Sequence, residues 1–298
     1  MKRISALHFA ILGHEIGHLL YKKWKQKTSF DFFEEKTIRK KVEEYIEDII
    51  TKEKNEYQIR VFEDERRAHL ISHFSDSLKR CFEEFCCDIF GILIFGFSFI
   101  LSHYKFGSLL YPQGKNIITV DEGYYPWDYR LKICLETMYN LPEIYQGSEL
   151  HEVNAWLRSL NNQYSNIDIN YIFNNKMYGY HKIFIEEFEI YLPTLITELH
   201  LVTDELLYEN IADINDINLV TEYLNNKIVP AVRIDEKLES YPLDFRNIIS
   251  GTWNHILSSS IDFNNTELLY NLMNQANLLS LKGIELSKIT AKFKSGTV

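Results

Sequence analysis

Residues 85–101 have the sequence FCCDIFGILIFGFSFIL and form the most apolar stretch of the chain. The stretch is about as long as the shortest helix that crosses a lipid bilayer. It carries Asp88 near its start, and Glu83 and Glu84 precede it. Charged side chains are costly inside a bilayer, so we predict a helix buried in a protein core and no membrane association. A membrane-embedded protease that uses this stretch as a span is the alternative.

The chain on both sides of this stretch has apolar residues at helical spacing, which predicts a mainly α-helical fold. Its 298 residues include only 6 Pro and 12 Gly, fewer turn-forming residues than a sheet-rich protein requires. We predict a loop over 106–128, where Ile117–Val120 is the only β-like segment. The expected fold is a multi-helix bundle-like core with at most a short β-hairpin, followed by a C-terminal helical region. The predicted helices cover residues 4–25, 32–54, 56–79, 80–105, 127–139, 148–164, 167–190, 194–208, 216–228, 241–259 and 264–290.

The composition argues against several classes of function. Asp and Glu number 42 against 32 Lys and Arg, a net charge of −10, so we expect no binding of nucleic acid, which requires neutralisation of phosphates. None of the 4 cysteines lies in a C-x-x-C pair, which favours reduced thiols in the cytoplasm. Three histidines and Glu15 interrupt the N-terminal apolar stretch, and this argues against a secretion signal. The predicted location is cytoplasmic.

An H-E-x-x-H motif lies in the first predicted helix, where His14-Glu15-Ile16-Gly17-His18 follows an apolar turn. Side chains four residues apart share one face of a helix, so both imidazoles can reach one zinc ion. Glu15 is rotated by about 100° from His14 and can act as a general base beside the metal. Two solvated histidines on a helix are the alternative interpretation, but a buried pair without a partner would be costly.

A second acidic motif supplies a third ligand, because catalytic zinc has three protein ligands and an open position. Glu84 and Asp88 are four residues apart and share a helical face. We predict that Glu84 coordinates the metal and that Asp88 accepts the remaining ring N–H of a ligating histidine. Glu83 is the alternative ligand, with Cys87 as its neighbour one turn later. An acid-rich helix start without a metal is the third interpretation.

Together these motifs resemble those of the gluzincin superfamily of zinc peptidases, in which the third ligand is the Glu of an E-x-x-x-D motif. The segment YPWDYRL, residues 125–131, is similar to the His-Pro-x-x-x-Arg element of the HtpX and CAAX-prenyl protease families, although Tyr125 replaces the usual His. The resemblance implies a zincin-like core in which Arg130 is a cation that supports the site. It also implies the following roles: His14, His18 and Glu84 as zinc ligands, Glu15 as general base, and Asp88 as the partner of a ligand.

The expected function is that of a zinc metallopeptidase that hydrolyses peptide bonds with a metal-activated water. Arg130 or Tyr125 would stabilise the oxyanion or order the site, and Tyr124 is a further candidate. Residues 1–145 would form the metallopeptidase core, and residues 146–298 would cover the cleft, select a peptide or protein substrate, or bind a partner protein. The alternative function is a non-catalytic helical interaction protein whose zinc site is structural or vestigial. His69 and His73 are a weaker candidate for a second metal site.

Overall fold

A computed structural model describes residues 6–28, 30–34, 36–57, 63–110, 125–167, 179–259 and 266–296. Within these ranges the chain forms eleven α-helices and one two-stranded antiparallel sheet, which confirms a mainly α fold with a short β-hairpin. A 3-10 turn, Ala6–Ile11, leads into the first helix, and two more, Asp204–Leu206 and Tyr208–Asn210, follow the eighth. The helices are α1 Leu12–Lys27, α2 Lys36–Tyr57, α3 Glu63–Phe95, α4 Phe97–Leu110, α5 Trp127–Tyr139, α6 Glu143–Gln146, α7 His151–Tyr164, α8 Gly179–Thr203, α9 Ile214–Asn225, α10 Phe245–Ser258 and α11 Thr266–Ser295.

Helix α3 is the centre of the fold. Every residue from Phe85 to Phe95 is buried, including Asp88, so this half of the helix has no solvent-facing side. A helix that is apolar on all sides needs neighbours all round, and α1, α2, α4, α5 and α8 pack against α3. The buried core helix expected here is confirmed. None of the described helices is long and apolar enough to cross a lipid bilayer.

The boundaries of the central helices differ from those predicted. The predicted break between residues 79 and 80 is wrong, because α3 continues through it to Phe95. The break comes instead at Gly96, which has a φ of +56°. Only glycine adopts this left-handed conformation without strain, and a Cβ at this position would lie 2.5 Å from the ring of Tyr208. Gly96 therefore ends the central helix and turns the chain into α4.

The hairpin lies in a different place from the one predicted. Ile117–Val120 is outside the described residues, whereas Val232–Ile234 pairs with Ser240–Pro242. The predicted start of a helix at residue 241 is therefore wrong. That helix, α10, begins after Asp244, whose carboxylate accepts a hydrogen bond from the backbone N–H of Arg246. The predicted break before residue 194 is also wrong, since α8 runs through Pro193.

One hydrophobic core joins the two ends of the chain. Its buried members extend from Leu7 in the first turn to Ala276 in the last helix. Helix α10 packs against both α4 and α7, and the turn that precedes α1 packs against α10 and α11. The predicted division at residue 145 stays a prediction, but apolar residues on both sides of it share this core.

Candidate metal centre

Two glycines set the spacing between α1 and α3. A Cβ on Gly17 would lie 2.7 Å from the Cα of Cys87, and one on Gly13 would lie 2.9 Å from the Cα of Gly91. Small residues four apart on both helices therefore let the two backbones meet along a seam. This close approach places the flank of α1 that carries His14 and His18 within reach of the carboxylates on α3.

Each imidazole of the motif has one ring nitrogen held by a carboxylate of α3. Nδ1 of His14 lies 2.8 Å from Oδ1 of Asp88, and Nδ1 of His18 lies 2.9 Å from Oε1 of Glu83. The two ring centroids are 5.1 Å apart. A carboxylate on Nδ1 holds the proton there and leaves Nε2 as the nitrogen that can bind a metal.

The remaining nitrogens of both rings lie near Glu84. Nε2 of His14 is 3.2 Å from one carboxylate oxygen of Glu84, and Nε2 of His18 is 3.8 Å from the other. Two atoms bound to one tetrahedral zinc ion at 2.0–2.1 Å lie about 3.3 Å apart. Two imidazoles and one carboxylate are ligands typical of zinc, and the distance between His14 and Glu84 matches this spacing. Glu84, the predicted third ligand, lies beside both of these nitrogens.

Arg130 of α5 completes the support of His14. Its Nε and Nη2 donate hydrogen bonds of 2.8 Å to the two carboxylate oxygens of Asp88, and Nη2 lies 3.5 Å from Glu84. Both Arg130 and Asp88 are buried. A bidentate pair of this kind fixes the orientation of the carboxylate as well as its charge. Arg130, the cation expected to support the site, is therefore joined to His14 through the carboxylate of Asp88.

The electrostatics of this network favour a cation. Burial opposes a proton on His14, but hydrogen bonds to Asp88 and Glu84 outweigh it and raise the pKa of the imidazole to about 9. Burial also opposes the charge on Asp88, yet Arg130 and His14 hold the pKa of its carboxyl well below the usual range. The cluster therefore keeps a negative charge that a second proton or a metal ion on His14 can balance.

The other predicted residues are placed differently. Glu15 is exposed on the solvent side of α1, and no hydrogen bond or ion pair joins it to another described residue. The hydroxyl of Tyr125 lies 2.8 Å from Nδ1 of His181, and its ring stacks on Phe85. Tyr125 is buried in this aromatic cluster, and none of its described contacts is with the histidine pair. The oxyanion role predicted for Tyr125 therefore has no support from its position, and Tyr124 lies outside the described residues.

Two further residues, Glu83 and Cys87, lie beside the histidine pair. The carboxylate of Glu83, the alternative ligand, contacts Nδ1 of His18. The thiol of Cys87 lies within 4.8 Å of ring nitrogens of both His14 and His18, and burial raises its pKa well above the usual range. Cys87 follows Glu83 by one helical turn, so the i, i+4 spacing was the available signal for both.

Other metal-binding combinations are less suitable. His69 and His73 stack with ring centroids 6.3 Å apart, and no described carboxylate or thiol completes a three-residue group with them. Asp88, His103 and Cys134 form a fully buried group. There, Arg130 already pairs with Asp88, and its charge opposes a second cation. Burial lowers the pKa of His103 to about 3, and the charge of Arg130 acts in the same direction.

Comparisons of this chain with protein-family models, with curated proteins and with solved structures found no match.

Proposed function

We propose that this protein is a zinc-dependent hydrolase of peptide bonds, with the metal held by His14, His18 and Glu84. One observation carries the proposal: both imidazoles have Nδ1 engaged by a carboxylate and Nε2 near Glu84. Histidines that only pack or lie in solvent do not need such an arrangement. It leaves an approach for a further ligand on the more exposed side, where the His18 side chain is 31% exposed.

The residues around the ligands have distinct roles in this proposal. A zinc ion bound there would supply Lewis acidity and would make water nucleophilic near neutral pH. Glu15 follows His14 directly, and its exposed carboxylate has no hydrogen bond or ion pair with another described residue. It accepts the proton of the attacking water and passes it to the leaving amine. Asp88 and Arg130 are positioning residues, because they fix the tautomer and the orientation of His14 without reaching the substrate.

A second function is favoured by one observation, the position of Cys87. A thiolate at this place would be a fourth protein ligand, and a closed four-ligand site is structural and not catalytic. In that case the protein would be a helical interaction module stabilised by its metal. Burial works against this alternative, because it disfavours the thiolate that zinc requires.

Replacement of Cys87 by Ser distinguishes the two functions. We expect Cys87→Ser to keep about one zinc per chain and to cleave peptides as the parent protein does. Zinc content is measured by elemental analysis, and cleavage is followed by mass spectrometry of a random-sequence peptide library. Loss of zinc in Cys87→Ser, together with an uncut library in the parent protein, would support the structural site and contradict the hydrolase.

A further inference from the structure

A cavity lies beside α1 on the flank away from the histidines. It is a groove of about 530 Å³ between α1, α11 and the segment that joins the hairpin to α10. Apolar side chains form most of its walls. Its lining includes Phe9, Leu12, Ile16, Phe95, Phe245 and Ala291.

Helical geometry connects this groove to the proposed general base. At 100° per residue, Glu15 lies between His14 and His18 on one side and Leu12, Ile16 and Leu19 on the other. Leu12 and Leu19 are exposed by 50% and 67%, and Leu12 and Ile16 also line the groove. The solvent face of α1 is therefore apolar from the proposed catalytic carboxylate to the groove.

The polar groups that line the groove are almost all engaged within the protein. Asp244 accepts hydrogen bonds from the backbone N–H and the side chain of Arg246, and the hydroxyl of Ser287 donates to the carbonyl of Leu243. The exception is Lys288, which is exposed and has no ion-pair partner among the described residues. An occupant that matches these walls is apolar, with an acidic group beside it near Lys288.

We infer that this groove binds an apolar segment of the peptide substrate, next to an acidic residue, a few residues from the bond that is cut. The inference rests on the proposed function and adds a substrate class to it. Leu12 and Ile16, which line the groove, lie within one helical turn of Glu15, so one extended peptide can reach both. The cavity has the size and the apolar lining typical of ligand sites.

Binding tests the inference independently of cleavage. The probe is a fluorescein-labelled peptide with a central Leu-Phe-Leu-Phe segment and an adjoining Asp, and its twin carries Ser-Asn-Ser-Asn in place of the apolar segment. Both are titrated by fluorescence anisotropy against zinc-loaded Glu15→Gln protein. We expect the apolar peptide to bind at least about 10-fold more tightly, the discrimination that an apolar pocket commonly provides. A third peptide with Lys in place of the Asp should bind more weakly than the first.

Variants of the groove locate the binding. Ala291→Trp fills the groove from exposed positions of α11, and Phe245→Ser makes its wall polar; both should reduce binding of the apolar peptide to the level of the twin. Leu201→Ser is the matched control, because Leu201 is 76% exposed on α8 and lies outside the groove. Equal binding of the two peptides, or tight binding that survives both groove variants in folded protein, overturns the inference. If the preference holds and the parent protein leaves the peptides uncut, the groove is supported and the hydrolase fails.

Discussion

Nδ1 of His14 lies 2.8 Å from a carboxylate oxygen of Asp88. The same carboxylate accepts two hydrogen bonds from Arg130, so three helices meet at one buried ion pair. The order in which these groups contact one another gives each a separate role. Asp88 orients the imidazole, and Arg130 keeps Asp88 ionised and in place.

Removal of the third ligand should abolish zinc binding. We expect the parent protein to carry about one zinc per chain and Glu84→Gln to carry almost none, because two imidazoles alone do not form a stable site. Glu83→Gln should keep zinc with an affinity about 10- to 100-fold lower, the usual effect of a residue that orients a ligand. Asp76→Asn is the control, since Asp76 is an exposed carboxylate on the same helix. Elemental analysis and competition with a chelator measure these effects. A Glu84→Gln variant that binds zinc normally while Glu83→Gln does not would reverse the ligand assignment.

Loss of Asp88 should affect both metal affinity and stability. Asp88→Asn should weaken zinc binding by about 10- to 100-fold, because His14 loses its partner. It should also destabilise the metal-free protein by about 3–5 kcal/mol, because Arg130 remains buried without a counter-charge. The double variant Asp88→Asn/Arg130→Met removes that charge, so it should recover much of the stability and none of the zinc affinity. Urea unfolding in the presence of a chelator measures the change in stability, and competition with a chelator measures the change in zinc affinity. Equal stability of the single and double variants would show that Arg130 is not the source of the loss.

Glu15 should matter for catalysis alone. Its carboxylate is exposed and makes no described contact, so Glu15→Gln should retain the fold and the zinc. The amide cannot accept a proton, and general-base assistance contributes about 10²–10⁴-fold to the rate. Cleavage of a peptide library should fall by that factor, with an unchanged thermal melt and zinc content. The control is Glu143→Gln, which alters an exposed carboxylate on α6. Full activity of zinc-loaded Glu15→Gln would contradict the proposed hydrolase and favour the structural zinc site.

Stability should fall in mild acid because of buried neutral histidines. Burial lowers the pKa of His181 to about 3, whereas an unfolded histidine titrates near 6.5. Between these values the unfolded chain binds a proton that the folded chain does not, so stability is lost as the pH falls below about 6.5. His181 alone should cost about 2 kcal/mol between pH 7 and pH 5. His14, whose pKa is raised, acts in the opposite direction, so the effect is measured by comparing variants.

His181→Gln isolates this contribution. The amide can still hydrogen-bond to Tyr125 but does not titrate, so the loss between pH 7 and pH 5 should be smaller by about 2 kcal/mol than in the parent protein. Urea unfolding with a chelator present removes the pH dependence of metal binding from the comparison. His151→Gln is the control, because the side chain of His151 is 91% exposed. An identical pH dependence in His181→Gln and the parent protein would mean that His181 does not remain neutral in the fold.

The class of fold could be predicted from the sequence because apolar periodicity reports the buried face of each helix. The ends of the helices were harder to predict from the sequence, since they depend on tertiary contacts. Gly96 ends α3 in a left-handed conformation against Tyr208, a residue more than a hundred positions later. Pro193 lies within α8 without ending it. The pair Val232–Ile234 and Ser240–Pro242 was missed because strands of three residues are too short to show alternation.

The residues of the candidate centre could also be predicted from helical periodicity. His14, His18, Glu84 and Asp88 each belong to a pair spaced by four residues, and helical geometry alone places such pairs on one face. Which carboxylate meets which nitrogen depends on how α1 crosses α3, and the crossing is set by the contacts of Gly13 and Gly17. From the sequence alone, Glu83 could equally be a ligand. In the structure, the way α1 crosses α3 places the carboxylate of Glu83 beside Nδ1 of His18. The orientation of Tyr125 toward His181 depends on α8 and had no local signal.

The partners of His14 come from distant parts of the chain, with Asp88 74 positions later and Arg130 116 positions later. Closing loops of this length costs conformational entropy, which burial of the seam between α1 and α3 must offset. A peptide with the sequence of α1 alone would therefore offer a metal only two mobile imidazoles. Zinc would therefore bind to the proposed site only after the long-range contacts of the core have formed. The rate of zinc uptake during refolding would then be limited by the slowest step in the packing of the helices.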